Sequence, residues 1–264
     1  MNKTAVISGA SSGLGYEISK LLCQKYGCRV IGLARRKEKL NAIREELGEC
    51  FVPFVCDVTS EDDRQRLLCF ITENGIKPDI LINNAGILPE FSCFTPEKAD
   101  VLERVMELNF HAHVKMCTLF LPLLLESEHG AIVNVASSAA LATLPGTAAY
   151  SSSKSALLAF TESLSLEYEK SLFVSAVCPG MTATELFDSH EGSSLIDKFA
   201  PSAEKTAKKI VRRLKRGRKM IVTGADAHLM SVLRRFLGRP ALKVFAFLFK
   251  IVKIPMFKDT FYKK

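Results

Sequence analysis

Tyr150 and Lys154 are the two residues whose types and spacing best suit proton transfer. They stand four positions apart in the segment 148–170, where apolar residues recur every three to four positions, so on a helix both side chains emerge from one face. A phenol has a pKa near ~10, and a neighbouring ammonium lowers that pKa by favouring the phenolate. The pair therefore predicts a general acid–base centre. The alternative is an ordinary Tyr-x-x-x-Lys pair on a helix surface.

Ser137 lies thirteen residues before Tyr150, just after the apolar run 130–135. At the end of a strand its hydroxyl could hold a substrate oxygen and steady negative charge that develops there. Ser138 is the neighbouring candidate, and the thirteen-residue spacing favours Ser137.

The stretch Gly9-Ala-Ser-Ser-Gly13-Leu-Gly15 allows two interpretations. As G-x-S-x-G, with Ser11 in the centre, it is the nucleophile elbow of a serine hydrolase, which requires a histidine partner. None of the five histidines (111, 113, 129, 190 and 228) has a spacing that assigns it to a triad. As a glycine turn between the first strand and a helix, the stretch lets backbone N–H groups approach a pyrophosphate. We favour the phosphate-binding turn.

Arg35 and Arg36 follow the second strand-like run, and Arg35 lies twenty residues after Gly15. Dinucleotide-binding folds that prefer NAD place an acidic residue there for the ribose hydroxyls, whereas an arginine suits the 2′-phosphate of NADP. The arginines therefore predict NADP(H). The alternative is a solvated pair that opens the next helix.

Short β-branched runs alternate with longer helical segments along the chain. The strand-like runs are 4–8, 29–34, 51–56, 79–82, 130–135, 172–177 and 219–223, and the helical segments are 13–26, 36–47, 61–74, 97–125, 148–170 and 202–216. Ser60 and Ser202 stand where helix N-caps are expected. The runs lack clean alternation, which indicates strands that are buried on both faces. We predict an α/β fold, a single-domain doubly wound parallel sheet of about seven strands over 1–224. A helical C-terminal extension follows over 225–264.

These motifs, in this order, resemble the classical short-chain dehydrogenase/reductase family over about residues 3–224. The resemblance rests on the glycine turn, Asp57 in Cys-Asp-Val, Asn83-Asn-Ala-Gly86, the catalytic positions and Pro179-Gly-Met-Thr-Ala-Thr184. It implies that Asn109, Ser137, Tyr150 and Lys154 form the catalytic tetrad. It implies cofactor contacts at Gly9, Ser11, Ser12, Gly13, Leu14, Gly15, Arg35, Arg36, Asp57, Val58, Asn84, Ala85, Gly86, Tyr150, Lys154, Pro179, Gly180, Thr182 and Thr184.

The resemblance also implies a role for each of these groups. Asp57 contacts the adenine, and the segment 179–184 holds the nicotinamide amide. Tyr150 exchanges a proton while a hydride passes between the nicotinamide and a carbonyl carbon, and the positive nicotinamide ring acts with the Lys154 ammonium to lower the pKa of the phenol. Lys154 bonds the ribose hydroxyls, and Asn109 holds a water that links the lysine to solvent. Read without the resemblance, Asn109 is a polar residue at a local helix kink or cap. No metal is expected, and we expect a homo-oligomer, either a dimer or a tetramer.

Basic charge is concentrated in the last quarter of the chain. Residues 205–264 carry 18 basic and two acidic residues, whereas residues 1–204 carry 18 basic and 26 acidic ones. The stretch 205–219 has no aromatic stacking platform, so we expect no nucleic-acid binding and interpret it as a solvated helix face that could add to membrane attraction. Residues 241–254 hold 11 apolar residues and three lysines and are shorter than the ~20 residues of a spanning helix.

Three roles fit this basic, apolar tail. A helix over 228–254 could lie on an anionic membrane surface, cover the substrate cleft or make an oligomer contact. The first strand-like run begins at residue 4, which leaves no room for a secretory signal, and the eight cysteines form no C-x-x-C pair. We therefore expect a cytoplasmic protein with reduced thiols, peripheral on the membrane if the first role holds.

The expected function is NADP(H)-dependent interconversion of a ketone and a secondary alcohol on an apolar substrate such as a steroid, bile acid or lipid. The nearest alternative is a 3-oxoacyl thioester reductase. An alternative of another class is a cofactor-binding membrane scaffold or redox sensor without turnover. Substrate choice is expected to lie in residues 185–203 and in the tail.

Overall fold

The computed structural model describes residues 3–187, 190, 200–252 and 260, without the side chains of 249, 251 and 252. Within these ranges seven parallel strands form one sheet in the order β3-β2-β1-β4-β5-β6-β7. The strands are β1 Thr4–Ser8, β2 Arg29–Ala34, β3 Phe51–Val55, β4 Ile80–Asn83, β5 Ala131–Val135, β6 Phe173–Pro179 and β7 Met220–Thr223. The strand order reverses between β1 and β4, so the predicted doubly wound sheet is confirmed.

Helices connect successive strands and cover both faces of the sheet. They are α1 Gly13–Tyr26, α2 Lys37–Leu47, α3 Glu61–Glu73, α4 Ala99–Met106, α5 Ala112–Leu125, α6 Ala148–Glu167, α7 Ala203–Leu214, α8 Ala225–Leu237 and α9 Pro240–Val252. The predicted N-caps are confirmed, because Ser60 accepts a hydrogen bond from the Asp63 N–H and Ser202 accepts one from the Lys205 N–H. The predicted single helix over 97–125 is wrong in one respect, since a π-helical turn, Glu107–His111, separates α4 from α5.

The core consists of two apolar layers, one on each side of the sheet. Strand β1 is buried at every position, with Ala5 and Ile7 facing the layer of α1, α2 and α7 and Val6 facing the layer of α3, α5 and α6. Because helices cover both faces of the sheet, side chains on both faces of each strand are apolar. The strands therefore appear in the sequence as continuous apolar runs. All eight cysteines lie within the described residues and are free thiols.

One helical stretch, Pro96–Leu125, is long and apolar enough to cross a membrane by length and composition alone. Met116, Phe120 and Leu124 on this stretch are fully buried and pack in the same layer as β1 and β5. These contacts identify α5 as a helix of the protein core. A buried core helix can be as long and as apolar as a helix that spans a membrane.

The C-terminal extension packs on the catalytic domain beside the carboxyl edge of the sheet. Met230 of α8 and Ala241 and Phe245 of α9 form a buried cluster with Ala142, which follows β5. Helix α8 begins at Ala225, so the predicted boundary falls between β7 and α8. Of the proposed membrane segment 228–254, residues 253 and 254 lie outside the described residues.

Candidate active site

A cleft of about 1000 Å³ opens along the carboxyl edge of the sheet, at the point between β1 and β4 where the strand order reverses. It brings together predicted residues from every part of the catalytic domain. They are Gly9, Ser11, Ser12, Gly13, Leu14, Arg35, Arg36, Asp57, Val58, Asn84, Ala85, Gly86, Ser137, Tyr150, Lys154, Pro179, Gly180, Thr182 and Thr184. Of the predicted set, Gly15 and Asn109 are not among the lining residues and lie behind them.

The glycine turn brings the backbone close to the cleft at the start of α1. Gly9 and Gly13 have φ values of +67° and +54°, in the left-handed region that favours glycine. A Cβ on Gly15 would lie 2.3 Å from the Gly9 carbonyl oxygen and 2.5 Å from Asn84 Nδ2. The turn therefore tolerates no side chain there, and its N–H groups and the α1 N-terminus form a place for phosphate. Ser11 Oγ accepts a hydrogen bond from Arg36 Nη2 at 3.0 Å, which supports the glycine-turn interpretation over a nucleophile elbow.

Cationic side chains gather at the end of β2. Arg36 also donates to Ser12 Oγ at 3.0 Å and to Glu185 at 3.0 Å, and Lys39 donates to Glu185 at 2.7 Å. Hydrogen bonding from Lys39, together with Arg36, lowers the pKa of the Glu185 carboxyl. Arg35 stays 72% exposed, with its guanidinium 3.9 Å from Asp57. Glu185 thus pairs with Arg36 and Lys39, and Asp57 lies near Arg35. The three cations together are suited to bind an anion.

The three proposed catalytic side chains meet where β5 and α6 face the cleft. Ser137 follows β5, is 8% exposed and accepts a hydrogen bond from the Ala139 N–H at 3.1 Å. Lys154 Nζ lies 6.0 Å from the centre of the Tyr150 ring and donates to the Val135 carbonyl oxygen at 2.9 Å. The helical i, i+4 spacing thus places both side chains on one face, as predicted.

The lowering that we expected for the Tyr150 pKa required both the Lys154 ammonium and a positive nicotinamide ring, whereas burial of the phenol acts in the opposite direction. Burial raises the pKa of the Tyr150 phenol, and its hydrogen bond with Ser137 offsets part of that rise. Lys154 is buried as well, and burial lowers the pKa of its ammonium to about 8, so this side chain stays mostly charged at neutral pH. The net lowering expected from the ammonium together with a positive nicotinamide ring stays a prediction for the protein with bound cofactor.

Asn109 lies in the middle of the π-helical turn and is fully buried. Its Oδ1 accepts from the Ile87 N–H and its Nδ2 donates to the Ile87 carbonyl oxygen, both at 2.9 Å, and Nδ2 also donates to Ser153 Oγ at 3.2 Å. Where we expected a local kink or cap, the structure has a π-helical turn. Its water-holding role stays a prediction.

The Asn-Asn-Ala-Gly motif after β4 is held in place by buried polar groups. Ser8 Oγ accepts hydrogen bonds from the N–H groups of Asn84 and Ala85 at 2.9 and 3.0 Å. Asn83 Nδ2 donates to Asn134 Oδ1 at 2.9 Å, which joins β4 to β5. These bonds fix the floor of the cleft between the glycine turn and Tyr150.

His113 is a supporting residue to which the sequence assigned no role. It lies in α5, thirty positions after Asn83, and is fully buried with its Nε2 2.8 Å from the Ala85 carbonyl oxygen. Burial lowers the pKa of its imidazole from 6.5 to about 3. The neutral ring therefore donates from Nε2 to Ala85 and steadies the motif next to Gly86.

This buried imidazole makes stability depend on pH in the acid range. As pH falls below 6.5 the unfolded chain binds a proton at His113 and the native state does not, so native stability is lost down to about pH 3. Each pH unit in that window costs about 1.4 kcal/mol. We expect His113→Gln, which keeps an N–H donor for Ala85, to reduce the loss of unfolding free energy between pH 7 and 5 by about 2 kcal/mol. Urea unfolding at both pH values measures it, and the exposed His129→Gln is the control; equal losses in both variants would contradict the assignment.

The segment after β6 reaches the glycine turn and the cations at the end of β2. The Gly180 N–H donates to the Thr223 carbonyl oxygen at 2.7 Å, and Thr182 Oγ1 donates to the Gly180 carbonyl oxygen at 3.1 Å. The Thr184 side chain lies against Gly13 of the glycine turn. Asp226 and Met230 of α8 also line the cleft, and neither was a sequence-based candidate.

A model of the short chain dehydrogenase family matches residues 3–193, which include the glycine turn, Tyr150 and Lys154. The chain belongs to the short-chain dehydrogenase family. As a member of that family the protein is an oxidoreductase, and the resemblance drawn from its motifs is confirmed. The proposed catalytic residues of this short-chain dehydrogenase lie at the carboxyl edge of a Rossmann-like sheet.

Named relatives of this short-chain dehydrogenase reduce different carbonyl compounds. It is 32% identical over 203 residues to an NADPH-dependent pterin aldehyde reductase of Arabidopsis thaliana, across 76% of this chain and 84% of that relative. It is 30% identical over 194 residues to a human very-long-chain 3-oxoacyl-CoA reductase, across 70% of this chain and 61% of that relative. A short-chain dehydrogenase from Sphingobium yanoikuyae, solved in complex with NADPH, superposes with a TM-score of 0.75 at 26% identity, across 89% of this chain and 94% of that one.

Proposed function

We propose that the protein is an NADP(H)-dependent oxidoreductase that interconverts a ketone and a secondary alcohol on an apolar substrate. The observation that carries this proposal is one cleft in which Ser137, Tyr150 and Lys154 face a glycine turn flanked by arginines. The glycine backbone leaves room for a pyrophosphate, and Arg35 is exposed for a 2′-phosphate. The named NADPH-dependent and NADPH-bound relatives support the same cofactor.

The chain's own residues account for proton transfer and orientation. When bound, the nicotinamide supplies or accepts the hydride. Ser137 Oγ and the Tyr150 hydroxyl hold the carbonyl oxygen, and Tyr150 donates its proton during reduction and accepts one during oxidation. Lys154 supplies positive potential below the phenol and orients the ribose. Asn109 holds the backbone next to Gly86 from behind, through its two hydrogen bonds with Ile87.

The substrate end of the cleft favours an apolar molecule. Its lining there includes Leu88, Phe91, Leu144, Phe187 and Met230. Apolar walls with a few convergent polar groups are typical of sites for hydrophobic small molecules. Of the predicted substrate segment 185–203, residues 188–189 and 191–199 lie outside the described residues.

A cofactor-and-ketone screen tests the proposal. We expect NADPH oxidation with sterol ketones or related apolar ketones, and failure with every sterol ketone, aryl ketone and 3-oxoacyl thioester would contradict it. A 3-oxoacyl thioester reductase is the second candidate, because the chain is similar to the human very-long-chain 3-oxoacyl-CoA reductase. Preferential turnover of thioesters over sterol ketones would identify that function.

A scaffold or redox sensor without turnover makes a different prediction. In that case Tyr150→Phe would leave the cellular phenotype unchanged while deletion of the extension would abolish it. The joint presence of Ser137, Tyr150 and Lys154 in one cleft favours the enzyme. We also propose a homo-oligomer, a dimer or a tetramer, which light scattering of the purified protein distinguishes.

We further propose that the catalytic domain is cytoplasmic and that α8 and α9 rest on a membrane surface. Several large apolar residues on these helices are exposed, among them Phe236 at 79% and Phe247 at 63%. Exposed Arg235, Lys243 and Lys250 surround them and suit anionic headgroups. The basic stretch 205–219 could add to this membrane attraction.

Replacing Phe236 and Phe247 with serine is expected to weaken membrane binding by roughly tenfold or more, because each ring loses about 1.5–3 kcal/mol of burial. Sedimentation with vesicles that contain anionic lipid measures the bound fraction. Leu166→Ser is the matched control, since Leu166 is 75% exposed on α6, outside the extension. If the double variant sediments like the wild type, the exposed face of α8 and α9 has another partner.

A further inference from the structure

Asp226, in the first turn of α8, joins the C-terminal extension to the segment that follows β6. Its Oδ2 accepts a hydrogen bond from the Met181 N–H at 2.7 Å, across 45 positions of sequence. The side chain also lines the cleft. The carboxylate lies at the N-terminus of α8, where the helix dipole interacts favourably with an acidic side chain.

Two glycines make the space that the carboxylate occupies. A Cβ on Gly180 would lie 2.1 Å from Asp226 Oδ1, and a Cβ on Gly224 would lie 2.5 Å from the same atom. Gly224 also has a φ of +100°, which brings the chain sharply from β7 into α8. The carboxylate therefore fits against the backbone of Gly180 with little freedom to move.

A second bond fixes the same segment from the neighbouring strand. The Gly180 N–H donates to the Thr223 carbonyl oxygen at 2.7 Å. Two consecutive N–H groups are thus both held, that of Gly180 by Thr223 at the end of β7 and that of Met181 by Asp226 in the first turn of α8. The backbone of 180–182 cannot shift without breaking one of these bonds or displacing Asp226.

We propose that Asp226 is a positioning residue that holds residues 180–182 in place for the nicotinamide end of the cofactor. The inference rests on the proposed NADP(H) function, in which the segment 179–184 binds the nicotinamide amide. It extends that function by making the C-terminal extension part of the cofactor site. The adenosine end of the cleft, at Arg35 and Asp57, does not depend on this contact.

Binding measurements on three forms of the full-length protein test the inference. The probes are NADPH and adenosine 2′,5′-bisphosphate, which lacks the nicotinamide. Asp226→Ala removes the acceptor, and we expect it to weaken NADPH binding by about tenfold, the lower end for loss of a hydrogen bond to a charged group. Binding of the bisphosphate should stay within about twofold of wild type, which also reports that the variant is folded. Asp226→Asn keeps an acceptor oxygen of the same reach and should restore NADPH binding to within about threefold.

A double-variant cycle with Gly180 adds an independent measurement. Gly180→Ala places a methyl group where the carboxylate lies and should weaken NADPH binding. In the Asp226→Ala background the carboxylate is absent and the methyl group has room. Gly180→Ala should therefore weaken NADPH binding less in that background than in the wild-type protein. Additive losses would overturn the proposed packing.

Each remaining outcome separates the inference from the proposed function. Equal losses for NADPH and the bisphosphate, no loss for NADPH, or an Asp226→Asn variant as weak as Asp226→Ala would overturn the positioning role. If wild-type protein binds neither NADPH nor the bisphosphate, the proposed cofactor itself is wrong.

Discussion

Replacing Tyr150 with Phe is expected to lower kcat/KM for ketone reduction by about 10²–10⁴-fold, the usual contribution of a positioned general acid. The substitution removes one oxygen atom and leaves the ring in the cleft wall. Burial raises the pKa of this phenol, so the protonated form that reduction needs predominates at neutral pH. Without the hydroxyl the developing alkoxide has no proton donor, and Ser137 alone cannot neutralise it.

NADPH affinity separates a chemical role for Tyr150 from a structural one. Binding of the cofactor should change by less than about threefold, because the glycine turn and the arginines remain intact. Tyr168→Phe is a matched control, since Tyr168 caps the end of the same helix and packs in the core layer of α5. Steady-state kinetics with fluorescence titration measures both quantities. A Tyr150→Phe enzyme that keeps more than about a tenth of wild-type turnover would exclude Tyr150 as the principal acid.

Replacing both Arg35 and Arg36 with Ala is expected to weaken NADPH binding by about 100-fold. Each arginine can form charge-assisted hydrogen bonds with a phosphate, and one such bond contributes about 1.5–3 kcal/mol. NADH carries no 2′-phosphate, so its dissociation constant should change by less than about fivefold. The change in the ratio of the two constants is therefore the diagnostic quantity.

The NADH measurement also tests whether Arg36 supports the conformation of the glycine turn. This side chain donates to Ser11 and Ser12 in the glycine turn, so its loss could disturb the pyrophosphate site for both cofactors. Arg29→Ala is the control, because Arg29 lies at the amino end of β2, away from the cleft. Equal weakening of NADPH and NADH would show that the arginines support the turn and do not select the 2′-phosphate.

Local patterns were sufficient to predict the sheet and most of the cleft. Strand β1, strand β2 and helix α1 have the predicted bounds, since a buried parallel strand and a capped amphipathic helix each have a short-range signal. Parallel strands place their carboxyl ends at one edge, so residues that follow β1, β4 and β5 had to meet there. For that reason the spacing of Ser137, Tyr150 and Lys154 already indicated one site.

Contacts between residues that are far apart in the chain leave no short-range pattern in the sequence. Glu185 pairs with Arg36 across 149 positions, and Asp226 bonds Met181 across 45. The low pKa of His113 comes from burial beneath Ala85, and a histidine in a sequence shows nothing of its surroundings. The π-helical turn at Asn109 likewise depends on the backbone groups of Ile87 that its amide binds.

By itself, the sequence determined the fold and the family of this protein and predicted its catalytic residues, because periodicity, glycine spacing and helical i, i+4 pairing act over a few positions. Only the tertiary structure decided that α8 forms part of the cleft and that burial raises the pKa of the Tyr150 phenol. Packing, desolvation and hydrogen bonds across the sheet join residues far apart in the chain, and their energies exist only once those residues meet.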